Sequence, residues 1–206
     1  MQNTEIKYPA NVCEQQKTGD EPVLLGNEAI ATVSDYWRWA HSDLNSNAER
    51  GKFAEFLVAC SLDLKHEVSQ EWGAYDICWA DGEDEIKIEV KTSAYLQIWG
   101  QKKLSSPSFS TRPSRKWNIE TNEYEEVVRR QADVYVFCLE KQRTQEGCNP
   151  NPLDLAQWEF YVLPTSVLDK RGMQGRVDLA QLDALKAEKV LSLRGLPDAI
   201  RRAFHA

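Results

Sequence analysis

Six consecutive apolar residues, Val134-Tyr135-Val136-Phe137-Cys138-Leu139, constrain the fold of this chain more than any other segment. The run has the length of a strand and lacks the polar alternation of a strand with one wet face, so it reads as a central strand buried on both sides. A strand of that kind, reached after helical segments, implies an α/β fold with a mixed β-sheet flanked by helices. The 206 residues, 42% hydrophobic, are enough for one domain with a sizeable core.

The other segments are read around that strand. The first 26 residues mix polar residues with Pro and Gly without periodicity and are expected to form a loose arm, leaving 27–206 as one domain with its core at about 46–140. Ile30, Val33, Trp37 and Ala40 recur at helical steps, which predicts a helix over 27–44, with one of the Trp37/Trp39 pair packed inward. Ser46 and Glu49 have capping-box spacing and open a second helix. Phe53, Phe56, Leu57 and Cys60 form its apolar stripe, and Ala48, Gly51, Glu55 and Ala59 a stripe of small residues broken by one carboxylate.

A hairpin follows. Tyr75, Ile77 and Trp79 alternate with Asp76, Cys78 and Ala80, and after Asp81-Gly82 the residues Ile86, Ile88 and Val90 alternate with Lys87, Glu89 and Lys91. Residues 92–118 read as a helix or turn and then a long irregular loop, and 121–130 as a helix ending in Arg129-Arg130. Residues 158–163 read as a further strand, and residues 177–187 and 196–204 as helices, the last laid over the sheet.

Chemistry concentrates on the hairpin. Alternation puts Asp76, Glu89 and Lys91 on its polar face, and a four-residue loop from Asp81 to Asp84 pairs Ala80 with Glu85 and sets Asp76 opposite Glu89. Opposed side chains have β-carbons about 4.5–5.5 Å apart, so two bare carboxylates there repel unless a positive charge lies between them. Magnesium prefers one or two carboxylates with other oxygens and waters, a set that Asp76, Glu89 and the Val90 carbonyl supply; manganese would substitute. Lys91 would face a phosphodiester substrate, and Glu55 would hold a water or a second ion.

Gly51-Lys52-Phe53-Ala54-Glu55, then Gly73-Ala74-Tyr75-Asp76-Ile77, then Ile88-Glu89-Val90-Lys91-Thr92-Ser93 resembles the PD-(D/E)xK nuclease superfamily, the restriction-endonuclease-like fold. The resemblance runs from about Ser46 to Leu139, with helix, strand, strand, helix, strand in order. It implies metal coordination by Asp76 and Glu89, a catalytic role for Lys91 and a supporting acidic role for Glu55. The proline that names the motif is absent, and Tyr75 stands in its place.

The net charge is -7, from 25 Lys+Arg and 32 Asp+Glu, so nonspecific attraction to nucleic acid or anionic lipid is not expected. Residues 90–119, however, carry Lys91, Lys102, Lys103, Arg112, Arg115 and Lys116 and no acid, a local +6 that leaves -13 for the remainder. These residues, with Gln97 and Gln101 one helical turn apart and with Trp99, Phe109 and Trp117, are the candidate nucleic-acid contacts. Five cysteines without a Cys-x-x-Cys pair read as reduced thiols, and His41, His66 and His205 have no paired spacing and no evident acidic orienter. No apolar run reaches the length of a membrane span and no signal peptide is evident, so a cytoplasmic protein is expected.

Together these features read as a magnesium-dependent nuclease acting on nucleic acid, DNA in preference to RNA, in restriction, repair or defence. A homodimer is one arrangement that would let both strands be cut. Two rivals are a catalytically silent nucleic-acid-binding or assembly module with the same fold, and a carboxylate-metal enzyme acting on another substrate.

Overall fold

The computed structural model describes Tyr8, Ala10 and residues 15–70, 73–147 and 150–206. Its centre is the strand Val134–Glu140 (β8), buried at every position. The elements before it are β1 (Pro22–Leu25), β2 (Glu28–Thr32), α1 (Val33–His41), α2 (Asn47–Ser61), β3 (Ile77–Asp81), β4 (Asp84–Ala94), β5 (Ser108–Ser110), β6 (Ser114–Asn118) and β7 (Glu123–Arg129). After it come β9 (Trp158–Pro164), α3 (Thr165–Asp169), β10 (Arg176–Asp178), α4 (Leu179–Ala184), β11 (Glu188–Val190) and α5 (Leu196–Phe204).

Five strands form one sheet in the order β11-β9-β8-β4-β3. β4 and β8 run parallel and the other neighbours antiparallel, so the expected mixed α/β sheet is present. On one face Ile77, Ile86, Ile88, Val90, Val134, Val136 and Phe160 pack against α2 and α5. On the other, Tyr135, Phe137, Leu139 and Leu163 pack against Phe109, Leu168, Val177 and Leu182 from β5, α3, β10 and α4. Ile88 and Val134, paired across β4 and β8, are fully buried, each contributing about 1.5–3 kcal/mol by leaving water. α5 spans the expected residues and is tied to the hairpin by Arg201, whose guanidinium grips Asp81 at 2.5 and 2.9 Å and lies over the Trp79 ring.

Several expected elements differ. The helix expected from residue 27 begins only at Val33, because Thr32 and Asp35 form a full capping box there, and residues 28–32 pair with residues 22–25 as an antiparallel ribbon. The end of the expected loose arm is therefore a strand. No residue of α1 is buried: Trp39 is 85% exposed and Trp37 39%, so neither is the inward-packed tryptophan expected. Ser46 caps α2, but the Glu49 carboxylate turns to His41, 2.9 Å from Nδ1, instead of closing the box. On α2 the buried apolar residues are Ala54, Leu57 and Val58, while Phe56 is half exposed.

The β3–β4 pairing has the expected register, Ala80 opposite Glu85, but Asp81 pairs with Asp84, so the loop is two residues and not four. Beyond β4 no helix forms, and residues 92–118 carry strands β5 and β6. The expected helix over 121–130 is strand β7, paired antiparallel with β6. Tyr124, Val127 and Val128 favour strand, Asn122 takes the left-handed turn conformation with φ 58°, and Trp117 packs edge-on against Tyr124 at 4.7 Å. The order inferred from the resemblance therefore lacks its helix between β4 and β8. Residues 177–187 form the end of β10 and the short helix α4 in place of one helix. Arg130 ends no helix; it is buried, donating to the carbonyls of Thr111, Gly172 and Gln174 and to Asp169.

Cys60, Cys78 and Cys138 are free thiols, and Cys13 and Cys148 lie outside the described residues. Among the described residues no helix is long and apolar enough to cross a membrane.

Candidate active site

The site is built where β3 begins beside β4. Asp76 immediately precedes β3; its N–H donates to the Ile88 carbonyl at 3.1 Å, and its Oδ2 accepts the Val90 N–H at 2.7 Å. The carboxylate is thus fixed against the backbone of β4. Along β4 the side chains of Ile86, Ile88 and Val90 are buried and those of Lys87, Glu89 and Lys91 half-buried, the alternation expected from period two. Glu89 and Lys91, two residues apart on that face, form an ion pair.

Glu55 comes from α2, which crosses β4. A β-carbon placed on Gly51 would lie 3.7 Å from the Thr92 methyl, so the small-residue face does bring helix and strand close, with room for an alanine. Glu55 Oε2 accepts from Lys52 Nζ at 2.7 Å, and the same ammonium donates to Ser69 Oγ at 3.1 Å.

Electrostatics joins these groups. Burial, and after it the charge of Asp76, holds the Glu55 carboxyl above its ordinary value, although Lys52 pulls the other way. The same two causes raise Glu89, against the opposing pull of Lys91. Burial draws the Lys91 ammonium down, but Glu89, Asp76 and Glu55 together overcome that and hold it above its ordinary value, so it stays charged. Tyr135, beside Glu89 in the sheet, has its phenol pushed up by burial and then by the Glu89 charge.

A cleft of about 860 Å³ opens beside this cluster. Glu55, Lys52 and Asp76 line it, together with Lys116, Trp117 and Ile119 of the β6–β7 hairpin. Glu89 and Lys91 do not line it. The donor set suits a hard divalent ion: Asp76 and Glu89 are carboxylates within electrostatic reach of each other, and the Val90 N–H already points to Asp76, so the carbonyl of the same residue faces the same side. Among the described residues no group of three or more His, Cys, Asp and Glu side chains is placed to hold a metal, so such an ion would keep several waters.

The basic segment is divided by the structure. Lys102, Lys103, Arg112 and Arg115 are exposed and in no ion pair among the described residues, whereas Lys116 lies 3.9 Å from Glu125 of β7. Gln97 and Gln101 do not sit on a helical turn; they knit the loop, Gln101 Oε1 accepting the Gln97 N–H at 2.7 Å and its Nε2 donating to the Tyr95 carbonyl at 3.1 Å. Phe109 is buried and packed on Phe137 at 5.2 Å, so it is not a surface contact. Trp99 is 54% exposed. His41 and His205 do have acidic neighbours, Glu49 and Asp84, both away from the cluster. Sequence reasoning missed Lys52 and Ser69; the only available sign was Lys52 standing one helical turn before Glu55.

The chain matches no curated protein and no solved structure. Residues 32–180, from the cap of α1 into α4 and including Glu55, Asp76, Glu89 and Lys91, match the model of the family described as bacteriophage T4 endonuclease IV. Covering well over half of the chain, that match shows that the protein belongs to the bacteriophage T4 endonuclease IV family, a family of nucleases.

Proposed function

We propose that this nuclease hydrolyses phosphodiester bonds of DNA with the help of a divalent ion, through a PD-(D/E)xK-type site made of Asp76, Glu89, Lys91 and Glu55, in a restriction, repair or defence setting. The observation that carries the reading is Asp76 fixed by the Val90 N–H beside the Glu89–Lys91 ion pair, with Asp76 and Glu55 opening onto a large cleft. The family description, an endonuclease of a bacteriophage, supports phosphodiester cleavage and favours DNA.

Asp76, Glu89 and the Val90 carbonyl would hold magnesium or manganese, which when bound acidifies a water and offsets charge on the phosphate. Asp76 needs no reorganisation for this, because the Val90 N–H already fixes its carboxylate. Lys91, kept charged by three carboxylates and set behind the cleft lining, would offset the negative charge that builds on the oxygens of a phosphate reaching past Asp76 as the bond breaks. Glu55, with its affinity for protons raised by burial, orients a water at the cleft wall. Lys116 and Trp117, which also line the cleft, offer a phosphate contact and a stacking face.

The alternative is a catalytically silent DNA-binding module, favoured by one observation: Lys91 is ion-paired with Glu89, so one metal-binding carboxylate already has a partner. Calorimetric titration with magnesium separates the two. The nuclease binds the ion, and Glu89→Gln loses that binding; a silent module gives no heat for the mutation to remove. In a plasmid and single-stranded DNA assay with magnesium or manganese, a folded Asp76→Asn variant should be inactive, and cleavage at the parent rate would refute the assignment.

A further inference from the structure

A second charged pocket, of about 390 Å³, lies toward the opposite edge of the sheet, at β9 and β11, lined by Tyr95, Lys141, Arg143, Glu159, Tyr161 and Lys189 among others. Its charges are unbalanced. Lys141 and Lys189 both turn to the single carboxylate of Glu159, at 3.7 and 3.0 Å, and Tyr161 donates to the same carboxylate at 3.0 Å. Arg143 is exposed and in no ion pair among the described residues; it lies 4.1 Å from the Tyr95 ring centroid and donates to the Tyr95 hydroxyl at 2.8 Å. Three cations around one anion leave two positive charges, beside two half-buried aromatic rings. Phosphate for the cations and a flat base for the rings and the guanidinium plane is the pairing that single-stranded nucleic-acid sites use.

Sheet register connects this pocket to the cleavage cluster. Lys91 pairs with Phe137, Phe137 with Tyr161 and Tyr161 with Lys189, so one cross-strand row runs from the cluster to the pocket on a single face. Neighbouring strands lie about 4.8 Å apart, which puts Lys189 roughly 14 Å from Lys91 at the level of the backbone. That is about four base steps at 3.4 Å each. Phe109 of β5 seals the middle of the row by packing on Phe137, so the two ends are separate openings.

We propose that this pocket binds a backbone phosphate of the substrate strand several nucleotides from the scissile bond, an inference that rests on the nuclease reading above. The strand passes around the β5–β10 ribbon, with its next contacts on Arg143, Lys141 and Lys189. The ligand chemistry, a phosphate on an aromatic nucleotide, is shared by a nucleic-acid strand and a free mononucleotide, and the proposal assigns the strand.

The test is fluorescence anisotropy of a labelled oligonucleotide with the full chain, over a salt series in EDTA, for the parent, the Lys141→Gln/Arg143→Gln double variant and Lys189→Gln. The altered side chains are solvent-accessible, and thermal unfolding checks that each variant is folded. The expected result is an affinity loss of about tenfold for the double variant, with the slope of log K against log salt reduced by roughly one for each contact removed. Unchanged affinity and slope overturn the proposal. So does a variant that loses mononucleotide or inorganic phosphate binding while holding the oligonucleotide as the parent does, since the pocket then serves a free nucleotide. Failure of the nuclease reading is seen elsewhere, as Asp76→Asn cutting at the parent rate.

Discussion

Asp76 has two jobs that different substitutions separate. Its Oδ2 is the acceptor for the Val90 N–H, and its charge adds to the effect of burial in holding the Glu55 and Glu89 carboxyls above their ordinary values. Asp76→Asn keeps an acceptor oxygen, whereas Asp76→Ala orphans a main-chain donor. We expect the alanine variant to be less stable than the asparagine variant by about 1–3 kcal/mol in urea unfolding, with cleavage lost in both. Arg50 makes a parallel case. It is buried on α2, 3.7 Å from the equally buried Glu140, and donates to the Asn45 carbonyl at 3.0 Å. Arg50→Ala leaves Glu140 as an unpaired buried charge and should cost about 3–5 kcal/mol, measured by the same unfolding; a loss below 1 kcal/mol would mean that water reaches the carboxylate. Asp76, Glu89 and Lys91 were legible in the sequence because strand alternation assigns faces without knowledge of the rest of the fold. Arg50 was not, since a charged residue in the first turn of a helix looks solvent-facing until the Glu140 end of β8 is placed over it.

At the scale of elements, local pattern succeeded where the partner was near in sequence or where burial was total. The β3–β4 register follows from the Gly82 turn, and β8 from its unbroken apolar run. It failed at β7, where Glu123-Tyr124-Glu125-Glu126-Val127-Val128-Arg129 contains helix-forming glutamates and only the cross-strand fit of Trp117 to Tyr124 decides the outcome. The β6–β7 hairpin packs on itself and leaves Tyr124 and Val127 about 60% exposed, while its Lys116 and Trp117 wall the cleft. Replacing residues 114–129 with a short Gly/Ser link, Arg130 retained, should shift the melting temperature by only a few degrees and weaken oligonucleotide binding about tenfold in anisotropy. Loss of folding would show instead that the hairpin supports the sheet.

For the whole molecule, the acidic total conceals a local cationic segment, and the structure refines it: four of its six basic residues are exposed and in no ion pair among the described residues, one faces Glu125 and one belongs to the carboxylate cluster. Affinity for DNA should therefore fall steeply with added salt, as expected of localised phosphate contacts. The clamp between α5 and the hairpin gives the stability a second signature. Arg201 hydrogen-bonds Asp81 and holds its carboxyl below the ordinary value. For a carboxyl so depressed the stabilisation is present above its unfolded value and is lost as pH falls through its folded one. Thermal melts should thus lose stability at the acid end, and Asp81→Asn should lower the melting temperature near neutrality and flatten that acid limb. Whether the carboxylate cluster and Lys91 cut DNA is decided by single-turnover cleavage of a defined oligonucleotide with saturating magnesium, comparing the parent with folded Lys91→Ala. The variant should cut about 10²–10⁴-fold more slowly, with a melting temperature near that of the parent; an unchanged rate would show that Lys91 takes no part in cleavage.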